Sequence, residues 1–143
     1  MHPALILQPV FVLVLLTVII TIWMFVTRIP AMKKLKIHPQ KGQDTGKLKE
    51  LLPAEVSRIS NNYNHLFEQP TIFYAVAISI AVLGHVDSIH IVCAWIYVVL
   101  RIIHSLVQAT VDKVFIRFIL FSLSWIVLSI MIVRESLLVF GLV

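Results

Sequence analysis

Apolar residues along the chain fall into runs too long and too continuous for the alternation of a strand or the narrow stripe of a soluble helix. The first, Ala4 to Thr27, contains no charge at all. As a helix its 24 positions reach roughly 36 Å, enough to cross a bilayer with some tilt. The third, Ile89 to Ala109, carries Arg101 and His104 as strongly polar groups well inside it, and the fourth, Val114 to Val133, only Arg117. The second is less obvious, because only Thr71 to Leu83 is cleanly apolar, and that is too short to span. A helix starting at Pro53, with Glu55 in its first turn, extends it backwards through a polar half: Arg58, Ser60, Asn61, Asn62, Asn64, His65, Glu68 and Gln69. Pro70 is expected to bend this helix.

The pattern therefore predicts an all-α integral membrane protein with helices at about 4–27, 54–83, 88–109 and 113–133. Short connections make neighbours antiparallel, giving an up-down four-helix bundle in one domain, 1–143. Gly84 fits a helix C-cap, Asp87 or Ser88 an N-cap for the third helix, and Asp112 a cap for the fourth.

Composition agrees: 59% of the 143 residues are apolar and 13% charged, with a mean hydropathy of +0.97. The net charge of +5 is concentrated rather than spread. Seven of the twelve Lys and Arg (Arg28, Lys33, Lys34, Lys36, Lys41, Lys47 and Lys49) lie between the first two runs. That is the signature of a cytoplasmic loop, not of a nucleic-acid-binding surface. The turn at Gly84–Asp87 lacks Lys and Arg, while Lys113 and Arg117 return to the basic side. Both termini are then non-cytoplasmic. A bacterial inner membrane and an internal eukaryotic membrane both accommodate this layout. The flank Arg28-Ile-Pro-Ala-Met-Lys-Lys reads as stop-transfer, so the first run is expected to stay as a helix. Trp23, Phe25, Trp95 and Tyr97 are expected as interfacial anchors. His85, Asp87 and His90 are read as turn residues rather than metal ligands, and Cys93 as a packed hydrophobe.

This topology gathers the intramembrane polar groups in one leaflet. Glu68 lies roughly 15 Å along its helix from Arg58, and Arg101 roughly 14 Å from Thr110, so the two sit at similar depth and are expected to pair. Asn61, Asn64 and Glu68 share a stripe, with Arg58, Asn62, His65 and Gln69 beside it, and Arg101 and His104 share a face. A charge at the middle of a membrane helix costs roughly 2.5–3.5 kcal/mol, so such groups face protein or water. So many together favour a hydrophilic ligand pocket over simple helix-to-helix glue. Arg117 has no acidic residue one turn away on its own helix. It is expected either to snorkel to lipid phosphate or to point into the pocket.

The stretch Arg58-Ile-Ser-Asn-Asn62-Tyr-Asn-His-Leu-Phe-Glu68-Gln-Pro70, followed by Arg101-Ile-Ile-His104, resembles the MAPEG family (membrane-associated proteins in eicosanoid and glutathione metabolism). In its microsomal glutathione transferase members the third helix carries Arg-x-x-His, with an arginine thirteen residues beyond the histidine. Here that position is Arg117. The family's second helix usually reads Arg-x3-Asn-x2-Glu; this chain has Arg58-x3-Asn62, then His65, with the acid one turn later at Glu68. The tyrosine often found between the Arg and His of helix three is Ile103. The resemblance implies a homotrimer that binds glutathione as co-substrate through Arg58, Asn62, His65, Glu68, Arg101 and His104. Arg117 would be the catalytic residue stabilising the thiolate, and a lipophilic small molecule would enter from the bilayer. Some members bind a lipophilic ligand or a partner protein without catalysis, and that alternative stays open.

Overall fold

The computed structural model describes residues 1–142. Six α-helices follow in order, with a short 3-10 helix at Pro39–Gln43 after the first: α1 (Ala4–Lys34), α2 (Thr45–Leu51), α3 (Ala54–His65), α4 (Gln69–Leu83), α5 (Ser88–Ala109) and α6 (Val114–Val139). Four spans are long and apolar enough to cross a membrane: α1, the α3–α4 pair, α5 and α6. Among the described residues there is no strand. α1 packs on α3, α4 and α5, and α5 packs most extensively on α6.

The core is built from stripes at helical spacing. Ile6, Val10, Leu13 and Ile20 of α1 meet Phe73, Ala77 and Ile80 of α4, Ala94, Tyr97 and Val98 of α5, and Leu128 and Met131 of α6. Tyr97 is fully buried and stacks on Phe73 with ring centroids 4.4 Å apart. It is a core residue, not the interfacial anchor its place in the sequence predicts. Large apolar side chains elsewhere, such as Phe11, Val82 and Phe118, face outward, which suits lipid as the surrounding solvent.

Three element boundaries differ from the sequence expectation. α1 continues through Pro30 to Lys34, because basic residues mark the membrane edge without ending a helix; the chain turns only at Leu35 and at Lys36, whose φ is 54°. At about 46 Å, α1 outruns a hydrocarbon core of about 30 Å. Its end packs Ala31 and Met32 against Leu48 and Leu52, which seats α2. α6 likewise continues past Val133 to Val139. The second span is broken rather than bent: α3 ends at His65 and α4 begins at Gln69. Pro70 stands in the first turn of α4. It has no N–H for the Leu66 carbonyl and its ring crowds that carbonyl, which favours a break here, whereas α1 carries Pro9 and Pro30 within one helix.

The predicted caps at Gly84 and Asp87 are present. Gly84 ends α4 at φ 74°, a conformation glycine adopts without penalty, and Asp87 accepts from the His90 N–H at 2.8 Å. The Arg134–Glu135 dyad, at the helix end by sequence, lies within α6 and clamps that turn. Arg134 pairs with Asp87, and His85 Nδ1 donates to Glu135 Oε1 at 2.9 Å.

Candidate functional site

One face of α5 sets the site. Residues 90, 94, 97, 98, 101, 104, 105 and 108 of this helix are all buried. The face is aromatic and aliphatic as far as Val98, and then becomes Arg101, His104, Ser105 and Gln108. The break in the second span lies opposite this polar half. His65 Nδ1 donates to Gln108 Oε1 at 3.1 Å, and Asn62 Nδ2 donates to the Ser105 carbonyl at 3.4 Å. The carbonyl of His65, at the interrupted helix end, accepts from Arg101 Nη2 at 3.4 Å. Arg101 Nη1 donates to Gln69 Oε1 at 3.3 Å. The proline-induced break thus supplies a backbone acceptor to a buried guanidinium.

A cavity of about 300 Å³ opens here, lined by His65, Glu68, Gln69, Arg101, His104 and Arg117, with Val114, Phe118 and Phe121 as an apolar wall on α6. Five of the seven residues singled out from the sequence therefore meet in one place. Asn62 and Arg58 do not line it. Asn62 is fully buried and ties α3 to α5. Arg58 lies one turn closer to the start of α3, half-buried, its Nε without a partner among the described residues.

One expected pairing is replaced, and one that was not expected is present. Glu68 is exposed and forms no ion pair with Arg101. Unwinding between His65 and Gln69 rotates Glu68 off the stripe and brings Gln69 to the guanidinium instead. Arg117, which has no acidic residue one turn away on its own helix, pairs with Asp112 of the preceding turn at 2.6 Å. Asp112 does not cap α6: it takes φ 49° in the preceding turn, and its carboxylate reaches the arginine rather than the helix N-terminus.

The consequence is an unusual charge balance. Arg101 is 1% exposed, and its partners are an amide oxygen and a carbonyl, both neutral. Around it, Gln69 Nε2, Arg101 Nε, His104 Nδ1, Ser105 Oγ, Gln108 Nε2 and Asn62 Oδ1 are buried without hydrogen-bond partners among the described residues. An orphaned buried polar group costs about 1–3 kcal/mol. Such a concentration marks a polar site that water or a polar ligand can complete. Gln69, placed beside the polar stripe without a site role, and Asp112, read as a helix cap, are the contributors that sequence patterning did not assign to the site. The adjacent Pro70 was the available signal for Gln69, while nothing local signalled Asp112.

The family model described as the MAPEG family matches residues 6–135, which takes in all four spans and every residue of the cavity. Comparison with curated proteins and with solved structures gives no match.

Proposed function

The chain belongs to the MAPEG family, and from that premise we propose a membrane-bound, glutathione-dependent transferase or peroxidase acting on lipophilic electrophiles. The observation that carries this reading is Arg101, a buried cation with only neutral partners. Glutathione brings carboxylates, an ammonium and a thiol. Arg101 clamps a carboxylate, Glu68 at the open rim holds the ammonium, and His104 and His65 add hydrogen bonds. Asn62 acts by fixing α5 against α3, and Arg58 attracts the second carboxylate from the cytoplasmic side. Arg117 stabilises the thiolate, the nucleophilic form.

In the transferase reaction the thiolate pair forms a new S–C bond while the leaving group departs with its own bonding pair. In the peroxidase reaction it attacks a peroxide oxygen, an S–O bond forms as the O–O bond breaks, and the alkoxide departs and takes up a proton; a second glutathione then attacks the sulfenic sulfur, releasing water and giving the disulfide. Val114, Phe118 and Phe121 line the apolar approach to the sulfur. Phe118 is largely exposed on the single chain, so a homotrimer, with a second copy closing the α6 side, completes the pocket and admits the electrophile from lipid.

A second reading, non-catalytic binding of a lipophilic ligand or partner protein, is favoured by one observation. The Asp112 carboxylate already partly neutralises the cation meant for the sulfur. The test is glutathione consumption with an apolar electrophile by the purified protein, beside Arg101→Met. Turnover that falls with the substitution supports the enzyme. Glutathione binding without turnover, or no glutathione binding at all, refutes the enzyme, and binding of an apolar ligand without turnover supports the second reading.

A further inference from the structure

The Arg117–Asp112 pair is not an ordinary helix-surface ion pair. Asp112 precedes Arg117 by five residues and lies outside α6, so helical spacing does not bring them together; the turn does. Asp112 sits at φ 49°, a region that side-chain-bearing residues seldom occupy and that Asp and Asn tolerate best. Its N–H donates to the Val107 carbonyl at 2.8 Å, anchoring the turn to the end of α5. The carboxylate is thereby fixed by backbone, and both side chains are only 21% and 28% exposed. The other titratable and charged groups around the same cavity are His65 from α3, Glu68 from the break, and Arg101 and His104 from α5. None of these is within ion-pair distance of Arg117.

We propose that Asp112 is a positioning residue that parks the Arg117 guanidinium and governs how much of its charge reaches the sulfur of a bound thiol. This rests on the glutathione reading above and extends it. Without ligand, Asp112 keeps the arginine from snorkelling towards lipid phosphate. With ligand, the guanidinium is shared between carboxylate and sulfur. The S–H bond breaks heterolytically, the electron pair stays on sulfur and the proton leaves to bulk water. A carboxylate this near the cation opposes that step, so Asp112 trades thiolate yield for a fixed arginine.

The experiment is a pH titration of the thiolate ultraviolet band with glutathione bound to the parent protein, Asp112→Asn and Asp112→Gly. Both replacements tolerate the left-handed turn, and both delete the charge. The midpoint is expected to move to lower pH by on the order of one unit in both variants. A band in the parent with unchanged midpoints in both variants overturns the proposal and leaves Asp112 as a turn residue only. Glutathione bound to the parent with no band at any pH overturns the catalytic reading beneath it, and this proposal with it.

Discussion

Replacing Gln69 by Glu separates what the site does for the ligand from what it does for the fold. The side chain is nearly isosteric, and it sets a carboxylate oxygen where the amide oxygen now stands, 3.3 Å from Arg101 Nη1. In the parent protein that guanidinium, 1% exposed, forms no direct ion pair among the described residues. The new carboxylate supplies one. A hydrogen bond between two charged groups outranks one with a neutral partner by about 1 kcal/mol, so denaturation in detergent should show unchanged or slightly raised stability. Ligand binding moves the opposite way. A charge-assisted hydrogen bond contributes about 1.5–3 kcal/mol, and its loss to an internal competitor weakens glutathione about 10- to 150-fold. Isothermal titration calorimetry reads the affinity, and Gln69→Leu is the counterpart that leaves Arg101 less supported and lowers stability. Opposite signs for stability and affinity are the signature. Glutathione affinity in Gln69→Glu equal to that of the parent would refute Arg101 as the anion clamp.

Glu68→Ala should leave stability within about 0.5 kcal/mol of the parent, because Glu68 is exposed and unpaired, yet should weaken glutathione binding; a large loss of stability would restore a structural pairing for this residue. Asp87 supports the far end of the bundle. Burial works to raise its carboxyl pKa but is outweighed by the His90 N–H and Arg134, so the group is held below its usual 3.8. Its contribution is therefore complete at neutral pH and fades as pH falls below about 3.8; thermal unfolding of Asp87→Asn should lie below that of the parent at pH 7, and the gap should narrow as pH falls below that value. Cysteines introduced singly at Lys41 and Ser88 in a Cys93→Ala background should label from opposite sides of the membrane, and same-side labelling would refute the proposed orientation.

The four spans were legible because a bilayer demands long apolar runs, and no local detail competes with that demand. The gathering of His65, Glu68, Arg101, His104 and Arg117 was legible as well, since antiparallel helices carrying polar groups at matching depth must bring them together. What failed was register. Each residue turns a helix by about 100°, so unwinding over Leu66, Phe67 and Glu68 exchanges which of two adjacent side chains faces Arg101. Pro70 announced a disturbance without saying how many residues it would consume. The partners of Arg117, Arg134 and Glu135 were hidden for a related reason. Asp112 reaches its arginine through a left-handed turn, and His85 and Asp87 reach α6 across some fifty residues, beyond any helical spacing. Tyr97 was misread because it lies in the middle of α5 rather than near its end, where it stacks in the core on Phe73.

The central claim is that this cavity binds glutathione and holds its sulfur as the thiolate beside Arg117. Ultraviolet difference spectroscopy on adding glutathione to the purified protein, in the parent, Arg117→Lys and Arg117→Ala, tests it most directly. A thiolate band is predicted in the parent, a weaker one in Arg117→Lys because a point charge still serves a single sulfur, and none in Arg117→Ala despite retained glutathione binding. An undiminished band and full turnover in Arg117→Ala would contradict the account.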